Sequence, residues 1–472
     1  MVQQSRLARL TAHELAGLIK DGEISPVEIV EACLERTESL NPSLNAFISI
    51  TKDRALAQAR KAEREIRGGV YKGPLHGIPY APKDIFATKG IRTTNGSKAT
   101  ANWIPDFNST VITRLDDAGA VMLGKLNLHE FAIGGGVESG FGPARNPWDL
   151  EYSPGGSSSG SGAALAAELI PLSIGTDTGG SVRWPAAYSG IVGLKPTYGR
   201  VSRFGVTPLS WTLDHVGPMT RSVVDAATML QVMAGYDEKD ATSVTEAVPD
   251  YTAALNADIK GLRVGVPTNF FFDHTDPQIL QAVRLAIQQL ADMGAEVVDV
   301  EIPHIEYASG GTLIMRVEAA CIHQKRVKEV PHLLEPEVRE RVDMAHFYSA
   351  IDYVQAQRAR TLLMQDMKAI FEQCDVMAIP ASPNLAFKLE PDSPEQNTNP
   401  KKQGGPPTLQ HSRLGNMTGN PAISLPCGFS QGSPKLPIGI MLYAGAFDES
   451  SLFRVGYAYQ SATTWHQQRP PV

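Results

Sequence analysis

Cysteine is scarce: Cys33, Cys321, Cys374 and Cys427 lie far apart in a chain of 472 residues. With no Cys-x-x-Cys pair they make neither a zinc ligand set nor a disulfide framework, so they are expected as small buried hydrophobes in a reducing compartment. Long apolar runs are missing as well. Nothing approaches the ~18 apolar residues of a membrane span, and Met1 to Arg9 lacks the apolar stretch of a signal peptide. A cytoplasmic protein without membrane association is expected. Positive charge is not in excess: 43 Lys and Arg stand against 50 Asp and Glu, a balance of −7. Nucleic-acid binding usually shows as a basic patch or stripe, so no nucleic-acid partner is expected. The eleven histidines are scattered, and His129-Glu130 lacks the second histidine of H-E-x-x-H. Neither a metal nor an organic cofactor is expected.

What is present is apolar material for a large core, at 42% hydrophobic against 20% charged residues. Ser25-Pro26-Val27-Glu28 reads as a capping box with proline at the first helical position. A helix is expected over 53–67, an extended segment over 76–85, a helix over 108–117 and a strand over 120–123. Further on, strands at 262–266, 296–302 and 375–379 alternate with helices at 277–293, 312–330 and 337–373. This alternation implies α/β architecture, a sheet covered by helices.

Residues 134–205 hold 16 of the chain's 42 glycines, with many Ser and Thr. A flexible linker would not carry the apolar blocks Ala163 to Leu172 and Ile191 to Leu194, so the stretch reads as backbone packed tightly around a site. Two formal motifs fail there and nearby. Gly119 to Lys125 matches the start of a phosphate-binding loop, but Leu126 stands where Ser or Thr must bind magnesium. Gly156 to Gly160 matches G-x-S-x-G without the strand that such an elbow needs. Thr176-Asp177-Thr178-Gly179-Gly180-Ser181 is more informative. Adjacent glycines let backbone N–H groups converge on one point, where a developing oxyanion can bind, with a serine at its edge. No histidine lies within 130–214 to serve as that serine's base, which leaves Lys and Ser as candidates.

The Gly/Ser run, GTDTGGS and GIVGLKPTYGRVS together resemble the defining signature of the amidase signature family. HGIPYAPKD is similar to that family's lysine segment and GNPAISLPCG to its C-terminal element. The resemblance implies one α/β/α domain over residues 1–472, built on a wide, twisted, mixed sheet, and amide hydrolysis by a Ser–Ser–Lys triad. Ser181 is then the nucleophile, Ser157 the bridging serine on a cis peptide, and Lys83 the terminal base. Backbone N–H groups of Thr178, Gly179, Gly180 and Ser181 would form the oxyanion hole, with Ser158, Asp177 and Arg183 in support. Lys83 has to be neutral to act as a base, and burial would lower its ordinary value of about 10.4. In an extended segment Asp84 points to the opposite face and does not hold Lys83 charged. Two positions depart from the family pattern: Pro82 stands where an aliphatic residue is usual, and Ser159 where Gly is common.

The expected substrate walls are Ile133, Gly134, Gly135 and Gly136, Trp184, the helix at 312–330 and the loop 389–408. No pocket-region cluster of Arg or Lys is evident in the sequence. The expected substrate is therefore a neutral, hydrophobic or aryl amide, with ester or carbamate cleavage also allowed. A free-standing amidase, with room for assembly as a homodimer, is the leading expectation. A second is the A subunit of a glutamyl-tRNA amidotransferase, against which LHEFAIGGGVESG departs from the pattern expected there. A third, a non-catalytic binding protein on the same fold, is disfavoured because all three triad positions are filled.

Overall fold

A computed structural model describes residues 7–133, 139–273, 275–389 and 410–472. Ten strands form one mixed sheet in the order β3-β2-β5-β7-β6-β11-β12-β10-β8-β9. These are β2 (Pro79–Pro82), β3 (Val121–Met122), β5 (Leu172–Asp177), β6 (Val192–Lys195), β7 (His215–Thr220), β8 (Arg263–Pro267), β9 (Glu296–Val300), β10 (Val376–Pro380), β11 (Ala422–Phe429) and β12 (Pro437–Ala444). β1 (Phe47–Ile50) and β4 (Gly124–Leu126) make a separate antiparallel pair. Both flanks of the large sheet are parallel, β3-β2-β5 and β10-β8-β9, while its centre is antiparallel. Strands β5, β7, β10 and β12 are buried along their whole length, which is why β10 and β12 read as unbroken apolar runs rather than alternating ones.

The local signals at the N-terminus operate as read. Ser25 accepts from the Glu28 backbone while Glu28 reaches back to Ser25, and Pro26 opens the helix Pro26–Leu44. The expected helix at 337–373 is divided in two: Pro336–Asp343 and Ala350–Gln373 flank the short turn Met344–Phe347. Ser349 accounts for the restart, because its side chain caps the second helix in a reciprocal bond with Asp352. Cys33, Cys374 and Cys427 are buried, but Cys321 is exposed, contrary to expectation. Among the described residues no helix is long and apolar enough to cross a membrane.

The Gly/Ser stretch is core. Helix Ser159–Ala166 is buried on every side, and apart from Leu165 its side chains are all Ser, Gly or Ala. At Gly160 a Cβ would lie 2.4 Å from the Ala46 carbonyl oxygen and 2.5 Å from the Asn127 nitrogen. Pro82 is accommodated in β2 opposite Ile174. The next N–H, that of Lys83, donates to Ile174 O at 3.0 Å. By strand alternation the nitrogen of Pro82 faces the β3 side, where β3 has ended, so no ladder bond is lost.

The first helix, Ala12–Lys20, is tied to the body by Asp225, whose buried carboxylate accepts from the N–H groups of Ala12 (3.0 Å) and His13 (2.8 Å). Asp225→Ala leaves both donors without a partner and is expected to lower unfolding free energy by about 1–3 kcal/mol. Urea denaturation would measure this, with earlier proteolysis before residue 20 as the local sign.

Candidate active site

The site sits where two neighbouring parallel strands, β2 and β5, end. Crevices beyond strand C-termini are where α/β sheets expose backbone and side chains to a ligand. β2 delivers Lys83, whose side chain is fully buried. Its Nζ lies 2.7 Å from Ser157 Oγ and 2.8 Å from Thr176 Oγ1, with no carboxylate in contact. Burial pushes the amine down from 10.5 to about 7, partly opposed by Asp177 and Asp214. Asp84 is turned away from Lys83. It accepts from Thr94 N at 2.8 Å and Thr94 Oγ1 at 2.5 Å and pairs with the buried Lys125 at 3.0 Å. Thr176, the second hydrogen-bond partner of Lys83, carries no signal in the sequence that would mark it for this place.

Ser157 follows a cis Gly156–Ser157 peptide. Its carbonyl accepts from His129 N at 3.1 Å, and Ser158 N donates to Ser181 O at 3.3 Å, which joins the two serine-bearing loops. Ser158 Oγ donates to Thr176 O at 3.3 Å. Ser181 opens onto a cavity that is also lined by Thr178 and Gly179. Lys83 and Ser157 are in direct contact, whereas the hydroxyl of Ser181 makes no hydrogen bond among the described residues.

Asp177 organises the turn. Its Oδ1 accepts from Gly180 N at 2.8 Å and its Oδ2 from Val182 N at 3.1 Å. Arg183 completes the clamp, with Nε 3.0 Å from Oδ2 and Nη2 2.9 Å from Oδ1. Burial alone would raise the Asp177 carboxyl, but the Arg183 guanidinium and these bonds hold it well below the usual carboxylate range. Arg183 is itself saturated by Tyr443 Oη (2.9 Å) and Asn416 Oδ1 (2.8 Å). The expected set of four oxyanion donors is therefore corrected. The Gly180 N–H is committed to Asp177, which leaves Thr178, Gly179 and Ser181 facing the cavity. Gly180 is required there for another reason: its φ is +122°, and a Cβ would lie 2.5 Å from Ser412 Oγ.

The walls differ from expectation in part. Trp184 lines the cavity, together with Tyr188, Leu209, Phe387 and Met315 from the helix Gly311–Glu329. Ile133 is buried but does not reach the cavity; Ala132 and His129 do. Gly134, Gly135, Gly136 and the loop 389–408, apart from Leu389, lie outside the described residues. The sequence shows no pocket-region cluster of Arg or Lys, yet the structure sets one cation, the buried side chain of Arg413, on the cavity wall. Arg413 belongs to the helix Gln410–Thr418, as do Ser412 and Asn416, which hold the turn from behind. The polar sequence of that short helix shows no apolar period that would have marked it as part of the site.

This fold and constellation define an α/β enzyme acting on amide C–N bonds. The chain belongs to the amidase family, the amidase signature enzymes, whose family model matches residues 28–453. It is 42% identical, over 99% of each chain, to the A subunit of the glutamyl-tRNA(Gln) amidotransferase of Chloroflexus aurantiacus. The crystal structure of the Thermotoga maritima protein of that name is 32% identical with a TM-score of 0.80, covering 97% of this chain and 95% of that one. A bacterial aryl acylamidase of the amidase signature family is 27% identical with a TM-score of 0.87, covering 97% of each. These findings overturn the expectation of a small-molecule substrate alone with no nucleic acid. Relatives matching the chain end to end are named as one subunit of an enzyme of glutamyl-tRNA(Gln). A charge balance of −7 describes one chain and does not exclude nucleic acid held by an assembly.

The burial of Lys83 carries a stability consequence. Between pH 7 and 10.5 the unfolded chain binds a proton at this residue that the folded chain does not, so folding gains from rising pH in that window. Lys83→Met is expected to raise the thermal midpoint at pH 7 by on the order of a few degrees. That advantage should shrink as pH rises toward 10.5. Calorimetry across this range would check both, and a variant that is less stable at pH 7 would contradict the uncompensated burial of the amine.

Proposed function

We propose that the chain is an amide-hydrolysing subunit of the A type, which releases ammonia from glutamine for an amidotransferase acting on glutamyl-tRNA(Gln). The observation that carries this reading is end-to-end identity of 40–42% to proteins of that name, covering 98–99% of each chain. In the proposed mechanism neutral Lys83 accepts the Ser157 proton across the 2.7 Å contact, and Ser157 takes the proton of Ser181. Ser181 Oγ attacks the carboxamide carbon. The N–H groups of Thr178, Gly179 and Ser181 receive the oxyanion, as preorganised donors that need no reorientation when charge develops. The proton returns through Ser157 to the departing nitrogen as the C–N bond breaks and ammonia leaves. Water then hydrolyses the ester on Ser181 to the free acid.

The purified chain should release ammonia from glutamine slowly and should do so faster when combined with the other subunits of such an amidotransferase. Ser181→Ala should reduce release by at least about a thousandfold in both settings. Because Lys83 sits at about 7, kcat/KM should climb as pH rises through that value and level off above it. Failure to release ammonia from glutamine in either setting, with turnover of aryl anilides by the chain alone, would replace this reading. A self-sufficient aryl amidase would then follow, which the rings of Trp184, Tyr188 and Phe387 on the cavity wall favour.

A further inference from the structure

The site contains two buried arginines in opposite circumstances. Arg183 is bonded at every nitrogen to Asp177, Asn416 or Tyr443. Arg413 is only 6% exposed and lines the cavity with Ser181 and Gly179, yet it makes no hydrogen bond or ion pair among the described residues. Its side chain passes between two glycines. A Cβ on Gly179 would lie 3.5 Å from Arg413 Nε, and one on Gly311 would lie 3.7 Å from its Cδ. The charges that bear on it are of its own sign. Arg341 and Arg316, together with burial as the larger influence, push it down to about 9. Each of these neighbours has a partner, Arg341 in Glu337 and Arg316 in the hydroxyl of Tyr348. No carboxylate lines the cavity among the described residues. A guanidinium keeps its proton inside a protein, so burial leaves an uncompensated cation on the wall of the cavity that Ser181 also lines.

We propose that Arg413 is the anion anchor of the acyl subsite: the substrate is an amide whose acyl portion carries a carboxylate, which Arg413 grips while Ser181 attacks the carboxamide. This rests on Ser181 as nucleophile and narrows the substrate class of the reading above, with glutamine as one member of that class. Arg413 is a specificity residue rather than part of the proton relay, since the hydrogen-bond partners of Lys83 Nζ are Ser157 and Thr176.

The test compares ammonia release from glutaramate and from 5-methylhexanamide, which has an isopropyl group in place of the carboxylate on the same chain. Wild type should favour glutaramate in kcat/KM by at least about tenfold, mainly through KM, as loss of a bond to a charged group implies. Arg413→Met should bring the ratio toward one, while Arg413→Lys, which keeps the charge but not the fork, should hold an intermediate ratio. A general loss of structure would lower both substrates together and leave the ratio in place. A second measurement needs neither a variant nor turnover. Glutarate should slow labelling of wild-type Ser181 by a fluorophosphonate in a saturable way, and 5-methylhexanamide at equal concentration should not. A wild-type ratio near one, a ratio unchanged in Arg413→Met, or absence of protection by glutarate would overturn the assignment. Preference for glutaramate without any action on glutamine would sink the amidotransferase reading and leave Arg413 as the anchor. Glutamine turnover with an Arg413-independent ratio would do the reverse.

Discussion

Everything at this site depends on holding the amino group of Lys83 out of water with no carboxylate against it. Two neighbouring parallel strands do this: β2 ends at Pro82 opposite Ile174 and hands Lys83 to the level where β5 runs on through Thr176. Strand alternation sends the one adjacent acid, Asp84, to the other face, where Lys125 and Thr94 occupy it. Had Asp84 faced Lys83, an ion pair at this depth would have kept the amine protonated. The hydroxyls of Ser157 and Thr176 supply polar contact without charge, which lets the amine be buried yet reactive near neutral pH.

The second constraint is the Asp177–Arg183 clamp. Both oxygens of the carboxylate and every nitrogen of the guanidinium are bonded, so a buried pair that would otherwise be a liability becomes a rigid brace. Its use of the Gly180 N–H is instructive. A turn in which every amide pointed at the cavity would have nothing to hold it in shape. Here the amides of Gly180 and Val182 are bonded to the brace, while those of Thr178, Gly179 and Ser181 are not.

Sequence pattern made much of this legible. The capping box at Ser25, the extended segment carrying Lys83 and the packed character of the Gly/Ser stretch all follow from local physics. Helix Ser159–Ala166 illustrates the reasoning: Ala, Gly and Ser without a polar face suit only a position enclosed on all sides. The character of the pocket was not legible. Arg413 arrives from a distant, polar, short helix, and only the three-dimensional fold sets its guanidinium against Gly179. The bond between Gly180 and Asp177 was hidden for a similar reason, since spacing shows which amides can converge and not which are already engaged. Charge balance failed for a third reason: it sums over one chain and carries no information about an assembly.

The glycine at 179 joins the two halves of the site. It lines the cavity, and a Cβ there would lie in ordinary contact with Arg413 Nε, at 3.5 Å. A side chain larger than alanine there would compete with the arginine for space, so this position bears on both the donor turn and the seat of the unpaired cation. The two groups are under different influences. Burial is opposed at Lys83 by Asp177 and Asp214 and reinforced at Arg413 by Arg341 and Arg316. Lys83 follows β2 and Arg413 sits on the helix Gln410–Thr418, so a substitution can change the charge of the pocket without replacing the residues that touch the lysine. One fold can therefore keep its hydrolytic chemistry while the acyl groups it accepts differ.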